Sequence, residues 1–128
     1  MELLAKVGLE ALASQKAGML PLGNLRRLEL ARALALKPRL LLLDESFSGL
    51  RHEEISLQEE LVRRTREAGI SILLIEHNMR VAMGLSDRLV VLDHGRKLTE
   101  GSPEEVRSNP EVIRAYLGKG EGGGSNAA

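Results

Sequence analysis

The 128-residue chain has no cysteine. That excludes disulfides and thiolate chemistry and fits a reducing compartment. Phenylalanine and tyrosine occur once each, so stacking on nucleic-acid bases has little to work with. Neither sign of charge prevails: Lys plus Arg and Asp plus Glu are 18 each. No net field would recruit a polyanion, and no nucleic-acid partner is expected. No apolar run approaches the ~18 residues that a membrane helix needs. The first ten residues, MELLAKVGLE, carry an early acid and no signal-peptide profile. A cytoplasmic protein is expected, able to dock on a membrane protein. The length allows one domain, and there is no internal repeat. The sequence also contains no G-x-x-x-x-G-K-[ST], the loop that cradles nucleotide phosphates.

What is present is most informative at Leu40-Leu41-Leu42-Leu43-Asp44-Glu45. Four apolar residues end in two carboxylates. A strand without polar alternation is expected to be buried on both faces, as in a parallel sheet. Asp44 and Glu45 should then sit where it emerges, at the edge where open α/β sheets bind ligands. Adjacent carboxylates there suit a magnesium-nucleotide site, one in the metal shell and one orienting or deprotonating a water. Alone, the hexapeptide serves equally as a buried strand followed by a solvated acidic turn.

Around it the pattern alternates strand and helix. Residues 2–7 read as a short helix closed by Gly8. Gly18 to Gly23 reads as a loop containing Pro21. A helix follows from about Asn24, its N-cap, to Leu36, with Leu25, Leu28, Ala31 and Ala35 on one side. Arg26 and Arg27 read as its solvated face. Residues 53–68 form a charged helix with Glu59–Arg63 and Glu60–Arg64 pairs, an apolar stripe of Ile55, Leu61 and Val62, and Gly69 just past its end. Ile70–Ile75 is a second buried strand, and Asn78 caps a short helix. Two further strands, 88–92 and 97–99, flank the turn Asp93-His94-Gly95. Ser102-Pro103-Glu104-Glu105 is a helix start with a capping box, and Asn109-Pro110 starts another helix. The pattern predicts a parallel α/β sheet with right-handed crossovers. Few helices precede the first strong strand, so the sheet should lack part of its cover.

The order of motifs resembles the C-terminal half of an ABC transporter ATPase, most of all the ATP-binding subunits of branched-chain amino acid importers. LPLGNLRRLELARALALKPRLLLLDESFSGL is similar to that family's signature loop, signature helix, Walker B strand and D-loop in sequence. ILLIEHNM resembles its switch-histidine strand, and GRKLTEGSPEEVRSNPEVIRAYLG the ending of the importer subgroup. The resemblance implies an α/β fold: the C-terminal part of a P-loop NTPase domain, with parallel strands, crossover helices, and a C-terminal hairpin plus helices. It implies a truncated ABC ATPase domain over 1–118; the Gly-rich composition of 119–128 predicts a disordered tail.

The resemblance also implies roles. Leu20, Pro21, Leu22, Gly23 and Asn24 match the signature loop, which reaches ATP held by the opposite subunit of a head-to-tail dimer. Asp44 matches the aspartate of the Mg²⁺ shell, and Glu45 the carboxylate that polarises the attacking water. Ser48, Gly49 and Leu50 fall in the D-loop, and His77 matches the histidine that contacts the γ-phosphate. The implied partners are a homologous ATPase subunit and membrane-spanning permease subunits, at the cytoplasmic face of the membrane. Without the resemblance, the signature loop is an ordinary Pro-Gly loop and His77 a strand-end histidine in solvent. His52 and His94, in predicted turns, take that plain reading. Four positions depart from the family pattern: Asn24, Leu25, Ser46 and Arg51, the last reversing charge in the D-loop region. With no phosphate cradle, the chain alone is expected to be inactive. A non-catalytic interaction module and a soluble ATPase of the same superfamily acting on nucleic acid or ribosomes are the alternatives.

Overall fold

The computed structural model describes residues 1–117; the Gly-rich tail lies outside them. The chain divides into two compact units, residues 1–75 and the segment from Glu76 onward. Among the described residues no helix is long and apolar enough to cross a membrane.

The first unit contains α1 (Glu2–Lys6), α2 (Leu22–Leu34), β1 (Leu40–Asp44), α3 (His52–Glu67) and β2 (Ser71–Ile75). α1 ends because Val7 leaves helical geometry and Gly8 turns back at φ +75°. β1 and β2 pair in parallel, in register from Leu40↔Ser71 to Asp44↔Ile75. α3 is the connection that such a parallel pair requires. Its Glu59–Arg63 and Glu60–Arg64 pairs form at 3.5 and 3.2 Å, and Gly69 follows it at φ +96°.

β1 departs from the expectation of burial on both faces. Leu41 and Leu43 are buried, but Leu40 and Leu42 are 56% and 64% exposed. On β2, Leu73 and Ile75 are 55% and 54% exposed. Directly paired residues share a face of a parallel sheet, so Leu40, Leu42, Leu73 and Ile75 form one open apolar face, with Asp44 at its end. The reason is the shortage of cover foreseen from the helix count: the other face is closed over at Leu41 and Leu43 but only partly at Ile72 and Leu74, so β2 is not the buried strand expected.

The buried stripe of α3 is also shifted from the expected one. It runs through Ile55, Gln58, Val62 and Thr65. Thr65 satisfies its hydroxyl by donating to the Leu61 carbonyl at 2.8 Å. Gln58 is 1% exposed, and neither its Nε2 nor its Oε1 has a partner. A buried unpaired polar group costs about 1–3 kcal/mol. Gln58→Met keeps the length and removes both polar atoms. It is expected to raise stability by roughly 1–2 kcal/mol, read as a higher urea midpoint at unchanged slope. A lower midpoint would mean that a buried water serves the amide.

The second unit contains α4 (Met79–Leu85), β3 (Leu89–Asp93), β4 (Arg96–Gly101), α5 (Pro103–Arg107) and α6 (Pro110–Val112), which runs on into a π turn over Ile113–Leu117. The third strand does not extend a parallel ladder: β3 pairs antiparallel with β4. The reason is the turn. His94 and Gly95 both have positive φ, 51° and 76°, as in a two-residue type I′ hairpin. A bulge between Val91 and Leu92 leaves Leu98 opposite no residue, and Leu98 packs on the core of Ala82, Leu89, Val91, Val106 and Val112. The caps form as the sequence requires. Asn78 accepts from Val81 N–H at 3.3 Å, Ser102 from Glu105 N–H at 3.2 Å, and Asn109 from Glu111 N–H at 2.8 Å.

Candidate functional site

The carboxylate pair stands where the sequence puts it. Asp44 is the last residue of β1, and Glu45 is the first beyond it. Both are exposed. The Glu45 N–H still donates to the Ile75 carbonyl, at 2.8 Å, so the sheet ladder holds its backbone. Its φ is +51°. A non-glycine residue is uncommon in this left-handed region, and such strain concentrates at functional positions. The turn that begins at Glu45 throws the chain away from the sheet.

The loop that follows is tied to the start of α2. Ser48 N–H donates to the Glu45 carbonyl at 3.1 Å, and Phe47 is buried beneath. Gly49 has φ +78°, and a Cβ there would lie 2.8 Å from Leu22 Cδ2. Arg26 Nη2 donates to the Ser48 carbonyl at 3.5 Å. Within the first unit, then, the start of α2 and the loop Ser48–Gly49 lie against each other, and Ser48 is tied back to Glu45.

The signature segment is not the loop expected. Leu20 and Pro21 are extended, but Leu22, Gly23 and Asn24 form the first turn of α2. Asn24 is not the N-cap. Pro21, at φ −58° and ψ 157°, already supplies the extended entry, and the Asn24 side chain accepts from the Arg27 guanidinium instead. No side chain caps α2, so its first N–H groups lack intrahelical acceptors and favour an anion. Gly23 is buried, and a Cβ there would meet the Glu54 carboxyl carbon at 3.0 Å. A side chain here would press on the end of the Glu54 side chain, which would have to give by a few tenths of an ångström.

Arg26 and Arg27 do not form a solvated face; both are half-buried. Arg27 Nη1 donates to the Val7 carbonyl at 3.1 Å, and Arg26 reaches Glu29 at 3.3 Å as well as Ser48. They serve the fold: one ties α2 to the segment after α1, the other to the D-loop. The expected apolar side is also corrected, for Leu30 is buried and Ala35 is exposed.

Arg51 takes a structural role as the N-cap residue of α3. Glu54, three residues on, accepts the Arg51 backbone N–H at 2.9 Å and pairs with its guanidinium at 3.2 Å. The backbone hydrogen bond first, and then the guanidinium, hold the Glu54 carboxyl below its ordinary value. Glu54 was not singled out in the sequence. The only signal was its place three residues after a helix start. His52 lies in the first turn of α3 rather than in a turn before it.

His77 belongs to the second unit. It follows β2 and precedes Asn78, the cap of α4. Its side chain is exposed, and its Nδ1 lies 3.5 Å from Oε1 of Glu76. His94 is an exposed turn residue whose Nδ1 lies 2.9 Å from Asp93.

Among the described residues no group of three or more His, Cys, Asp or Glu could hold a metal. Magnesium is commonly held by one or two carboxylates together with substrate phosphates. Asp44, an exposed carboxylate at the strand edge, is a donor fitted to that mode.

A family model described as "ABC transporter" matches residues 1–48, and one described as "Branched-chain amino acid ATP-binding cassette transporter" matches residues 96–122. The high-affinity branched-chain amino acid transport ATP-binding protein BraF of Pseudomonas aeruginosa is 44% identical over 91% of this chain and 46% of its own length. LivG of Salmonella typhimurium is 45% identical with the same coverage. The lipopolysaccharide export system ATP-binding protein LptB of Acidithiobacillus ferridurans is 41% identical over 91% of this chain and 48% of its own. Among solved structures, the ATP-binding cassette MJ1267 in its ADP conformation superposes with a TM-score of 0.82 at 29% identity, over 91% of this chain and 48% of that one. The chain spans about half the length of the curated relatives it matches. By sequence and by fold, it belongs to the ATP-binding subunits of ABC transporters, as a relative of the branched-chain amino acid ATPases that corresponds to their C-terminal region.

Proposed function

We propose that this chain is the C-terminal portion of the ATP-hydrolysing subunit of an importer for branched-chain or related amino acids. The observation that carries the reading is the ending: residues 96–122 match the model specific to that subgroup, on a chain 44% identical to BraF. The similar identity to an export ATPase supports leaving the choice of cargo to other subunits.

In this reading, ATP closes a head-to-tail dimer with a homologous ATPase subunit, and hydrolysis reopens it. The motion is passed to membrane-spanning permease subunits at the cytoplasmic face. Asp44 would hold the Mg²⁺ shell, where the ion would supply positive charge beside the phosphates. Glu45 accepts the proton of the attacking water. An exposed carboxylate held by a ladder hydrogen bond on its own N–H is suited to this, because the backbone cannot drift while the side chain reaches. His77 donates to the γ-phosphate. Leu20 to Asn24 present the uncapped N–H groups of α2 to the partner's nucleotide. Ser48, Gly49 and Leu50 carry the position of the carboxylate pair to the subunit interface, and the Arg26–Ser48 and Leu22–Gly49 contacts supply the mechanical link.

The open apolar face of β1 and β2 favours a second reading: a non-catalytic module that binds a partner ATPase or a membrane subunit. Two measurements decide. Titration of this chain with a fluorescent ATP analogue is expected to show no saturable site at micromolar nucleotide. Joining the chain to the N-terminal half of a close relative is expected to restore magnesium-dependent hydrolysis. A stoichiometric site on the chain alone would overturn the division of labour proposed here. A folded but inactive joined protein would favour the interaction module.

A further inference from the structure

Between the end of β2 and the start of α4 the backbone must leave a ladder and enter a helix within three residues. Donors are stranded at such a junction. Asn78 caps α4 by serving Val81 N–H, which leaves the N–H groups of His77 and Asn78 to be paired. Glu76 pairs both. Its Oε1 accepts from His77 N–H at 3.0 Å and from Asn78 N–H at 3.1 Å. The same oxygen lies 3.5 Å from Nδ1 of the His77 ring. The Glu76 side chain is only 2% exposed, and its Oε2 is buried without a partner. A carboxylate buried with one orphaned oxygen is costly. Burying it for the fold alone is poor economy, since a neutral glutamine could accept the same two backbone bonds. Carboxylate charge adds something only at the imidazole, where an anion beside Nδ1 favours a proton on that nitrogen and leaves Nε2 on the opposite edge.

We propose that Glu76 is the positioning residue for His77: its buried carboxylate fixes the turn that carries the histidine and sets the orientation and tautomer of the ring. The proposal rests on the reading of His77 as the phosphate-contacting imidazole. Glu76 itself touches no reacting atom. Its work is to hand the ring to the substrate with one nitrogen already committed, as second partners of functional histidines do.

The test uses the full chain, uniformly ¹⁵N-labelled on histidine, with His77 assigned from the spectrum of His77→Gln. Two readouts are followed in wild type, Glu76→Gln and Glu76→Ala: the ¹⁵N shifts that report the tautomer of neutral His77, and amide hydrogen exchange at His77 and Asn78. Wild type is expected to favour the proton on Nδ1. Glu76→Gln should move the tautomer balance towards that of an unrestrained imidazole while both amides stay protected, because the amide oxygen still accepts. Glu76→Ala should move the tautomer balance and also speed exchange at both amides by about tenfold, the worth of a typical hydrogen bond. An unchanged tautomer balance in Glu76→Gln overturns the proposal. If Glu76→Ala loses protection across β3 as well, the unit has unfolded and the glutamine variant alone decides. Neither readout involves nucleotide. A failure of His77 to act in hydrolysis would therefore leave them unmoved, and a failure here would leave that role standing.

Discussion

Glu45→Gln, placed in this chain after it has been joined to the N-terminal half of a close relative, is expected to lower ATP turnover by about 10²–10⁴-fold. Nucleotide affinity should be retained. Glutamine preserves the size of the side chain and one acceptor oxygen, but it cannot take a proton from water. It also suits the left-handed backbone at this position no worse than glutamate does, so the φ of +51° and the Glu45–Ile75 hydrogen bond should survive. The loss is then chemical rather than conformational. Asp44→Asn differs in kind: it weakens magnesium-dependent nucleotide handling, because Asp44 is proposed for the metal shell. Steady-state turnover measured beside ATP affinity separates the two. If Glu45→Gln stayed within a few-fold of the parent, Glu45 would not be the water-activating group, and the acidic pair would be a solvated strand end.

The parts legible in the sequence were those governed by local rules. The carboxylate pair at the strand exit follows from the cost of burying charge, and it stands there. The caps at Asn78, Ser102 and Asn109 follow from orphan N–H groups at helix starts, and each accepts the expected bond. The i,i+4 pairs on α3 follow from helical geometry. The family membership was legible because six short motifs occurred in a fixed order, and the fold agrees.

Long-range competition made the rest illegible. Asn24 looked like a cap because its side chain can accept, yet Pro21 already provides the extended entry and Arg27 claims the amide. Arg26 and Arg27 looked solvated because they are charged, but carbonyls at Val7 and Ser48, 20 and 22 residues away, draw them in. Those acceptors exist only once the chain has folded back. Gln58 lay outside the stripe of Ile55, Leu61 and Val62 expected for α3. The inward stripe of α3 instead runs at 55, 58, 62 and 65, a phase that its neighbours choose and its own composition does not. Glu54 and Glu76 passed unnoticed for the same reason. Their importance lies in what they touch, Gly23 in one case and the junction at His77 in the other.

The open face of β1 and β2 leads to the second large effect. Leu40, Leu42, Leu73 and Ile75 are each more than half exposed and share one side of a two-stranded sheet. Two strands alone are marginal in water and need packing against a further layer. A contiguous exposed apolar patch drives association, and free strand edges add backbone donors and acceptors for a neighbour to use. The chain on its own is therefore expected to self-associate and to bind a hydrophobic dye, with scattering mass rising with concentration. Leu42 and Leu73 face each other across the register. Replacing them together by Leu42→Lys and Leu73→Glu puts opposite charges at a directly paired position, which such a pair tolerates, while breaking the patch at its centre. The double variant is expected to return the scattering mass to that of a monomer and to lose most dye binding. Equal association of the double variant would move the contact elsewhere, with Val90 and Leu92, the exposed apolar residues of β3, as the next pair to replace. A dye-silent monomer in the unaltered chain would sink the idea at once. Joining the N-terminal half of a relative should have the same effect as the charges, for a different reason: the apolar face would then be covered by the rest of the ATPase rather than made soluble.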